Sequence, residues 1–458
     1  MPPSPSSHPA VAKYAEHINP AFVKLLGAFG YGRVFVRASG ATLWDHEGRE
    51  YLDFLSGFGA QSLGHNHAKL RARMAGFLAD DVPNLVHVGP QVHAAELASE
   101  LARRAGPLTM CLLSCTGAEA VEAALKLARA ATGKKTLLYC KNGYHGLNLG
   151  TLSTSGIPRM RELFEPLLPA CQEVPFGDLD ALDEALGKTR AAAFLVEPIQ
   201  AEGGMIMPPK GYLRAAQELC QKRGALFIVD EVQTGMGRTG SLFACEAEGF
   251  FPDVLVLGKA LGGGMVPISA TLTTPDLGKR AFGTAERFDL HGSTYAGNAF
   301  ACRTAGAILA ILDEEGLVRA SRDKGERLLF SLRDRIGKHP LVREVRGRGL
   351  FVGIELGPTE KGGLLHRALP GLVEAVSRRI FGQWLSVRLL EEGIVAQPAS
   401  QQWNVLKLEP PLTVTDAEID RVVDRIGALL DEYREVAPIV RDATSRLGQQ
   451  FAGGWRFG

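Results

Sequence analysis

Hydrophobic positions along this chain follow two periods that alternate through its middle. TMCLL (109–113), TLLYC (136–140), AAAFLV (191–196), ALFIV (225–229) and DVLVLG (253–258) are apolar runs of strand length. Each ends in a polar or glycine-rich loop. Between the first two runs, AEAVEAALKLARAAT repeats Val121, Leu125 and Ala128 at helical spacing. Glu119 and Glu122 lie in its first turns, Lys126 and Arg129 later, as the helix dipole favours. Strands alternating with helices require crossovers, so the pattern predicts an α/β fold with a mostly parallel sheet covered by helices. The ends differ. Residues 33–54 alternate around DHEGRE and predict an antiparallel hairpin. From about 310 onward, long helices mix with strands such as GLFVGIEL (349–356). The expected organisation is a large domain over 81–310 and a small α+β domain built from both termini, 1–80 and 311–435. A tail over 436–458 follows, its end GQQFAGGWRFG loosely ordered and its aromatics able to dock on a partner.

Composition narrows the class. Lys and Arg number 51 against 50 Asp and Glu, which offers no field for nucleic acid or a polyanionic surface. The seven cysteines are scattered and form no CxxC, which argues against a disulfide framework or zinc site and for a reducing compartment. MPPSPSSHPA lacks the apolar core of a signal peptide, and no apolar run approaches membrane-spanning length. A soluble cytoplasmic protein is expected. The 53 glycines cluster between the apolar runs, as tight strand-to-helix turns require.

In an open parallel sheet, ligands bind at the carboxyl ends of the strands. The residues that follow the apolar runs are Thr116 and Gly117, Tyr144 and His145, Glu197, Asp230 and Gln233, and Lys259. Each has a plainer reading: a helix cap for Thr116, a core ring for Tyr144, a backbone-satisfied carboxylate for Asp230, a surface strand end for Lys259. Lys259 does not belong to a phosphate-binding P-loop, because Asp253 and Ala260 stand where glycine and a hydroxyl residue are needed. Its surroundings, VLVLG before and ALGGG after, are apolar, and a desolvated lysine is a usable nucleophile toward an aldehyde. Asp230 offers a counter-charge for a protonated ring nitrogen, and Gln233 an amide for a neighbouring ring substituent. Thr116 and Gly117, at a helix start, offer an anion seat. Tyr144 offers an aromatic lid, and HGSTYAGN (291–298) is a further hydroxyl-rich loop. Together these match one cofactor, pyridoxal 5′-phosphate (PLP).

The chain resembles the class III, subgroup II aminotransferases of the fold-type I PLP enzymes. The resemblance rests on GAEAVEAALKLARAATGK, YHG, VEPIQAEGG, LFIVDEVQTGMGRTG, FPDVLVLGKALGGG and HGSTYAGN. GFGAQSLGH near the start and LKLEPPLTVT near the end extend it over roughly residues 30 to 430. It implies a Schiff base on Lys259, a pyridinium contact at Asp230, Gln233 at the ring hydroxyl and Tyr144 stacked on the ring. Thr116, Gly117 and Ala118 would hold the phosphate, and His145 and Glu197 would complete the cofactor site. Thr294, with Ser293 beside it, would reach the phosphate from a neighbouring subunit, which makes the active unit a homodimer. Lys259, displaced by a substrate amine, would act as general base. A keto acid would reverse the path, giving ping-pong transamination.

Departures from the family bear on the substrate. Relatives acting on ornithine or acetylornithine typically carry arginine directly after the FHG motif, where this chain has Leu147. Most of the subgroup carries arginine two residues before xPPL, where this chain has Lys407. Lysine lacks the bidentate carboxylate grip of arginine. Glu202 matches a family glutamate that pairs with that arginine or faces substrate, and Phe58 lies in the GFGAQSLGH stretch, which resembles putrescine aminotransferases. The expected donor is a diamine or an ω-amino compound with an apolar chain, and the acceptor 2-oxoglutarate or pyruvate. The alternatives are an acetylornithine/ornithine-type aminotransferase, an aminomutase on the same fold, or a non-catalytic binding relative. A dehydrogenase is disfavoured, since GRGLFVG has Val352 in place of the third glycine of GxGxxG.

Overall fold

A computed structural model describes residues 8–28, 31–358 and 370–452. Near the start, β1 (Phe35–Ser39), β2 (Thr42–Asp45) and β3 (Glu50–Asp53) form an antiparallel meander. The hairpin expected around DHEGRE is its β2–β3 half. A second turn at Gly40, with φ 56°, divides the segment once more.

Strands β4 (Met110–Ser114), β5 (Thr136–Cys140), β6 (Cys171–Val174), β7 (Ala191–Val196), β8 (Leu226–Asp230), β9 (Val254–Leu257) and β10 (Ser269–Thr273) build a seven-stranded sheet. Its order is β4-β10-β9-β8-β7-β5-β6. From β9 to β6 every neighbouring pair is parallel, and β10 runs antiparallel between β4 and β9. The mostly parallel sheet is therefore present. Its inner strands β7 and β9 are buried along their whole length, and since successive side chains point to opposite sides, both faces are covered there. On β8, Ile228 packs with Val121, Leu125 and Ala128 of the helix Gly117–Thr132, while Phe227 and Val229 join the larger core on the other face.

β10 reads SATLT, more polar than its neighbours, yet every residue in it is buried. Ser269, Thr271 and Thr273 donate their hydroxyls to the carbonyls of Thr116, Ala120 and Asp253. The buried polar groups are thus satisfied.

Strands β11 (Val342–Gly347), β12 (Val352–Leu356), β13 (Ile394–Val395), β14 (Gln397–Pro398) and β15 (Val405–Leu408) follow. Four form an antiparallel sheet in the order β11-β12-β15-β14. β13 instead pairs parallel to β3, Ile394 opposite Leu52, and so joins the two ends of the chain. The expected loose tail departs from this structure in part: a helix, Val436–Ala452, occupies its first stretch. Trp455 and Phe457 lie outside the described residues. Among the described residues, no helix is long and apolar enough to cross a membrane.

Candidate active site

Strands β4, β5, β7, β8 and β9 run in one direction, so the residues that follow them meet along one edge of the sheet. Gly258 leaves β9 where no side chain fits comfortably. A Cβ there would lie 3.2 Å from Val232 Cγ1 and 3.4 Å from Gly117 Cα. Lys259 then adopts φ 41°, a left-handed conformation unusual for a residue with a side chain. Its side chain enters a cavity of about 360 Å³. Burial lowers its pKa below that of an ordinary lysine, against the pull of Glu202, Glu409 and Asp230 and with help from Lys407. The Nζ donates to Gln233 Oε1 at 2.5 Å.

Asp230 ends β8 on the cavity wall. Its Oδ2 lies 2.7 Å from His145 Nδ1, and its Oδ1 accepts the Val232 N–H at 3.0 Å. His145 Nε2 is buried without a partner. Glu197, after β7, accepts the Tyr144 N–H at 2.8 Å and so fixes the loop that carries the Tyr144 ring. Burial pushes the Glu197 carboxyl up to about 7; Asp230 adds to the rise, and His145, the Tyr144 N–H and Lys259 oppose it.

Thr116 caps the helix Gly117–Thr132, and its Oγ1 accepts the Glu119 N–H at 3.2 Å. The plainer reading of this hydroxyl is therefore correct as far as it goes, and Thr116 also lines the cavity with Gly117 and Ala118. Gly117 is required by the packing, since a Cβ there would fall 2.8 Å from Val232 Cγ1.

The cavity thus gathers ten of the sequence candidates: Thr116, Gly117, Ala118, Tyr144, His145, Leu147, Glu197, Asp230, Gln233 and Lys259. Leu147 is 59% exposed at its rim. Glu202, Lys407 and Phe58 do not line it, although a chain of buried contacts connects them to it. Gln233 Nε2 donates to both oxygens of Glu409 at 3.1 Å. Glu409 pairs with Lys407 at 3.3 Å, Lys407 with Glu202, and Glu202 accepts the Ser400 N–H at 3.0 Å. The Lys407 Nζ also sits 5.1 Å from the Phe58 ring centroid. Burial works against the Lys407 charge, but Glu409 and Glu202 prevail and raise its pKa. Ser293 lies outside the cavity with its Oγ 3.7 Å from Cys115 Sγ, and Thr294 is exposed.

Two members of this network, Glu409 and Arg238, are absent from the sequence candidates. Arg238 is buried and donates to the carbonyls of Gly59, Leu350 and Pro410, binding three distant segments together. Burial pulls its pKa down to about 10 against the attraction of Glu409. For Glu409 a sequence signal existed: in LKLEPPL, Lys407 and Glu409 stand two residues apart, on one face of an otherwise apolar strand end.

Residues 29–430 match the family profile Aminotransferase class-III. The chain is 38% identical over 459 residues to Aminotransferase PigE of a Serratia species, covering 93% of this chain and 54% of that protein, so it spans about half the length of that relative. Among solved structures, it resembles the ornithine aminotransferase of Toxoplasma gondii, crystallised with oxidised glutathione and described with partial PLP occupancy at its active site. The identity is 32% and the TM-score 0.78, over 90% of this chain and 92% of that one. It also resembles the acetylornithine aminotransferase of Elizabethkingia anophelis, with 32% identity and a TM-score of 0.71, over 88% and 94% of the two chains. The chain belongs to the class III aminotransferases and has their fold-type I architecture.

Proposed function

We propose that this transaminase takes its amino group from a terminal amine, a diamine or an ω-amino compound with an apolar chain, and passes it to a keto acid by a ping-pong route. One observation carries the assignment of the centre. Lys259 Nζ, desolvated and held on Gln233, shares a cavity with a buried carboxylate and a helix N-terminus. These residues fit PLP. The cavity offers an amine, a carboxylate and a helix-start anion seat, and the buried His145 Nε2 has no protein partner.

In this reading Lys259 would hold the cofactor, with Asp230 toward its ring nitrogen, Gln233 toward its ring hydroxyl and Tyr144 against its face. Thr116, Gly117 and Ala118 receive the phosphate. When bound, the cofactor supplies an electron sink for the charge left on carbon as a proton departs. Lys259, with its lowered pKa, takes and returns that proton. Asp230 stays oriented because His145 and the Val232 N–H each hold one oxygen. Glu197 steadies the Tyr144 loop through one backbone bond.

The donor assignment rests on the cations. Lys407 is engaged by two carboxylates, and Leu147 makes the rim apolar. A donor with an α-carboxylate finds neither arginine that the family typically offers. We also read the N-terminal meander and the C-terminal sheet as one smaller domain, and the active unit as a homodimer in which Thr294 of one copy completes the other's phosphate site. Exposed Val86 and Val92, which line a surface cavity with Gly297 of that loop, and exposed Tyr295 within it support an apolar interface.

A panel of amines tests the donor reading. Putrescine and longer terminal amines, each with 2-oxoglutarate or pyruvate, should outrun ornithine in single half-reactions. Faster turnover of ornithine refutes it, and turnover without any keto acid points to an aminomutase.

A further inference from the structure

We propose that Glu409 is a specificity-determining residue: it competes with substrate carboxylates for Lys407 and thereby penalises carboxylate-bearing substrates. The inference rests on reading the cavity around Lys259 as the substrate site.

Glu409 follows β15 directly and is fully buried. It is held from several sides. Gln233 Nε2 donates to both its oxygens at 3.1 Å, and Lys407 Nζ lies 3.3 Å from Oε1. Its Oε2 lies against Gly59, where a Cβ would come within 3.3 Å, and the Arg238 guanidinium borders the same spot. A carboxylate so enclosed has no room to turn away. Glu202 is placed differently: its Oε2 rests on one backbone N–H, that of Ser400, and its Oε1 on Lys407.

Two grips on one lysine have a consequence. If Glu202 swings aside to admit a substrate, Lys407 still has a buried partner in Glu409. The Phe58 ring, 5.1 Å from Nζ, closes another side. A substrate carboxylate must therefore share Lys407 with a preformed, desolvated partner that already offsets its charge, whereas a carboxylate-free amine need not. Glu409 also fixes Gln233, whose other end holds Lys259, so its position is coupled to the reacting amine. In Glu409→Gln the side-chain volume is kept, an oxygen can still accept from Gln233, and the charge on Lys407 loses one partner.

Glutarate tests this directly, because it carries two carboxylates but neither amine nor carbonyl to react. Its binding to the PLP-loaded enzyme is measured by calorimetry. E409Q should bind glutarate about tenfold more tightly than wild type, about the value of one charge-assisted hydrogen bond. The gain should vanish in the K407M/E409Q double variant. In kinetics, E409Q should lower KM for 2-oxoglutarate by about the same factor. Unchanged glutarate affinity in folded, PLP-loaded E409Q, or a gain that survives loss of Lys407, overturns the proposal. If E409Q does not fold, wild-type crystals soaked in glutarate decide. Lys407 should remain on Glu409, and Lys407 moved off Glu409 onto the glutarate carboxylate refutes the idea. Failure of the donor reading shows separately, as a wild-type preference for ornithine.

Discussion

Asp230 and His145 form a buried pair in which the Asp230 Oδ2 sits 2.7 Å from His145 Nδ1, while Oδ1 keeps the Val232 N–H. The carboxylate is thus locked in orientation before any ligand arrives, which is the condition for electrostatic work in a dry site. Asp230→Asn keeps the size and loses the charge. It should lower kcat by about 100-fold or more while the fold persists. Half-reaction kinetics with circular dichroism measure both, and near wild-type turnover contradicts the role.

Leu147 stands at the cavity rim, where arginine is typical of ornithine-type relatives. Leu147→Arg should raise kcat/KM for ornithine relative to putrescine by about tenfold, the value of one new charge-assisted contact. The ratio of the two constants in competing-donor assays checks it. An unchanged ratio means that the rim does not read the carboxylate.

Glu197 gives a signature in stability. Unfolded, its carboxyl titrates near 4.3; folded, burial lifts it to about 7. The folded protein holds the proton longer. The contribution is full below about 4.3 and is lost as pH rises through about 7, an effect on the order of 3 to 4 kcal/mol. Glu197→Gln is neutral throughout and can still accept the Tyr144 N–H. Without PLP, the variant should melt close to wild type at low pH and higher than wild type at pH 8, within the resolution of calorimetry. Parallel melting curves at both pH values contradict the assignment.

Arg238 braces Gly59, Leu350 and Pro410 from a fully buried position. Arg238→Met keeps the apolar stem but strands three carbonyls and leaves Glu409 with one cation fewer. Unfolding free energy should fall by about 3 kcal/mol in urea titrations. A change below about 1 kcal/mol would show that water replaces the guanidinium.

Why some of this was legible in the chain and some not follows from particular residues. β7 and β9 are buried along their whole length, so AAAFLV and VLVL stand out as apolar runs. β10 hides because its threonines satisfy their hydroxyls on neighbouring backbone, which lets a polar-looking segment enter the core. β6 hides because it is the edge strand and leaves Gln172 and Glu173 exposed. Lys259, Asp230 and Thr116 were legible because each stands at the end of a readable strand or two residues beyond it. Glu409 and Arg238 belong to long-range contacts: the side-chain partners of Glu409 are Gln233 and Lys407, and no local period links 233 to 409. The alternation of Lys407 and Glu409 was the one visible trace.

The central claim is a covalent link between Lys259 and the PLP aldehyde. Borohydride reduction of the purified, PLP-loaded enzyme followed by peptide mapping tests it most directly. A pyridoxyl group on the peptide that contains Lys259 is the predicted result. An adduct on another lysine, or none in enzyme that still shows the bound chromophore, contradicts it.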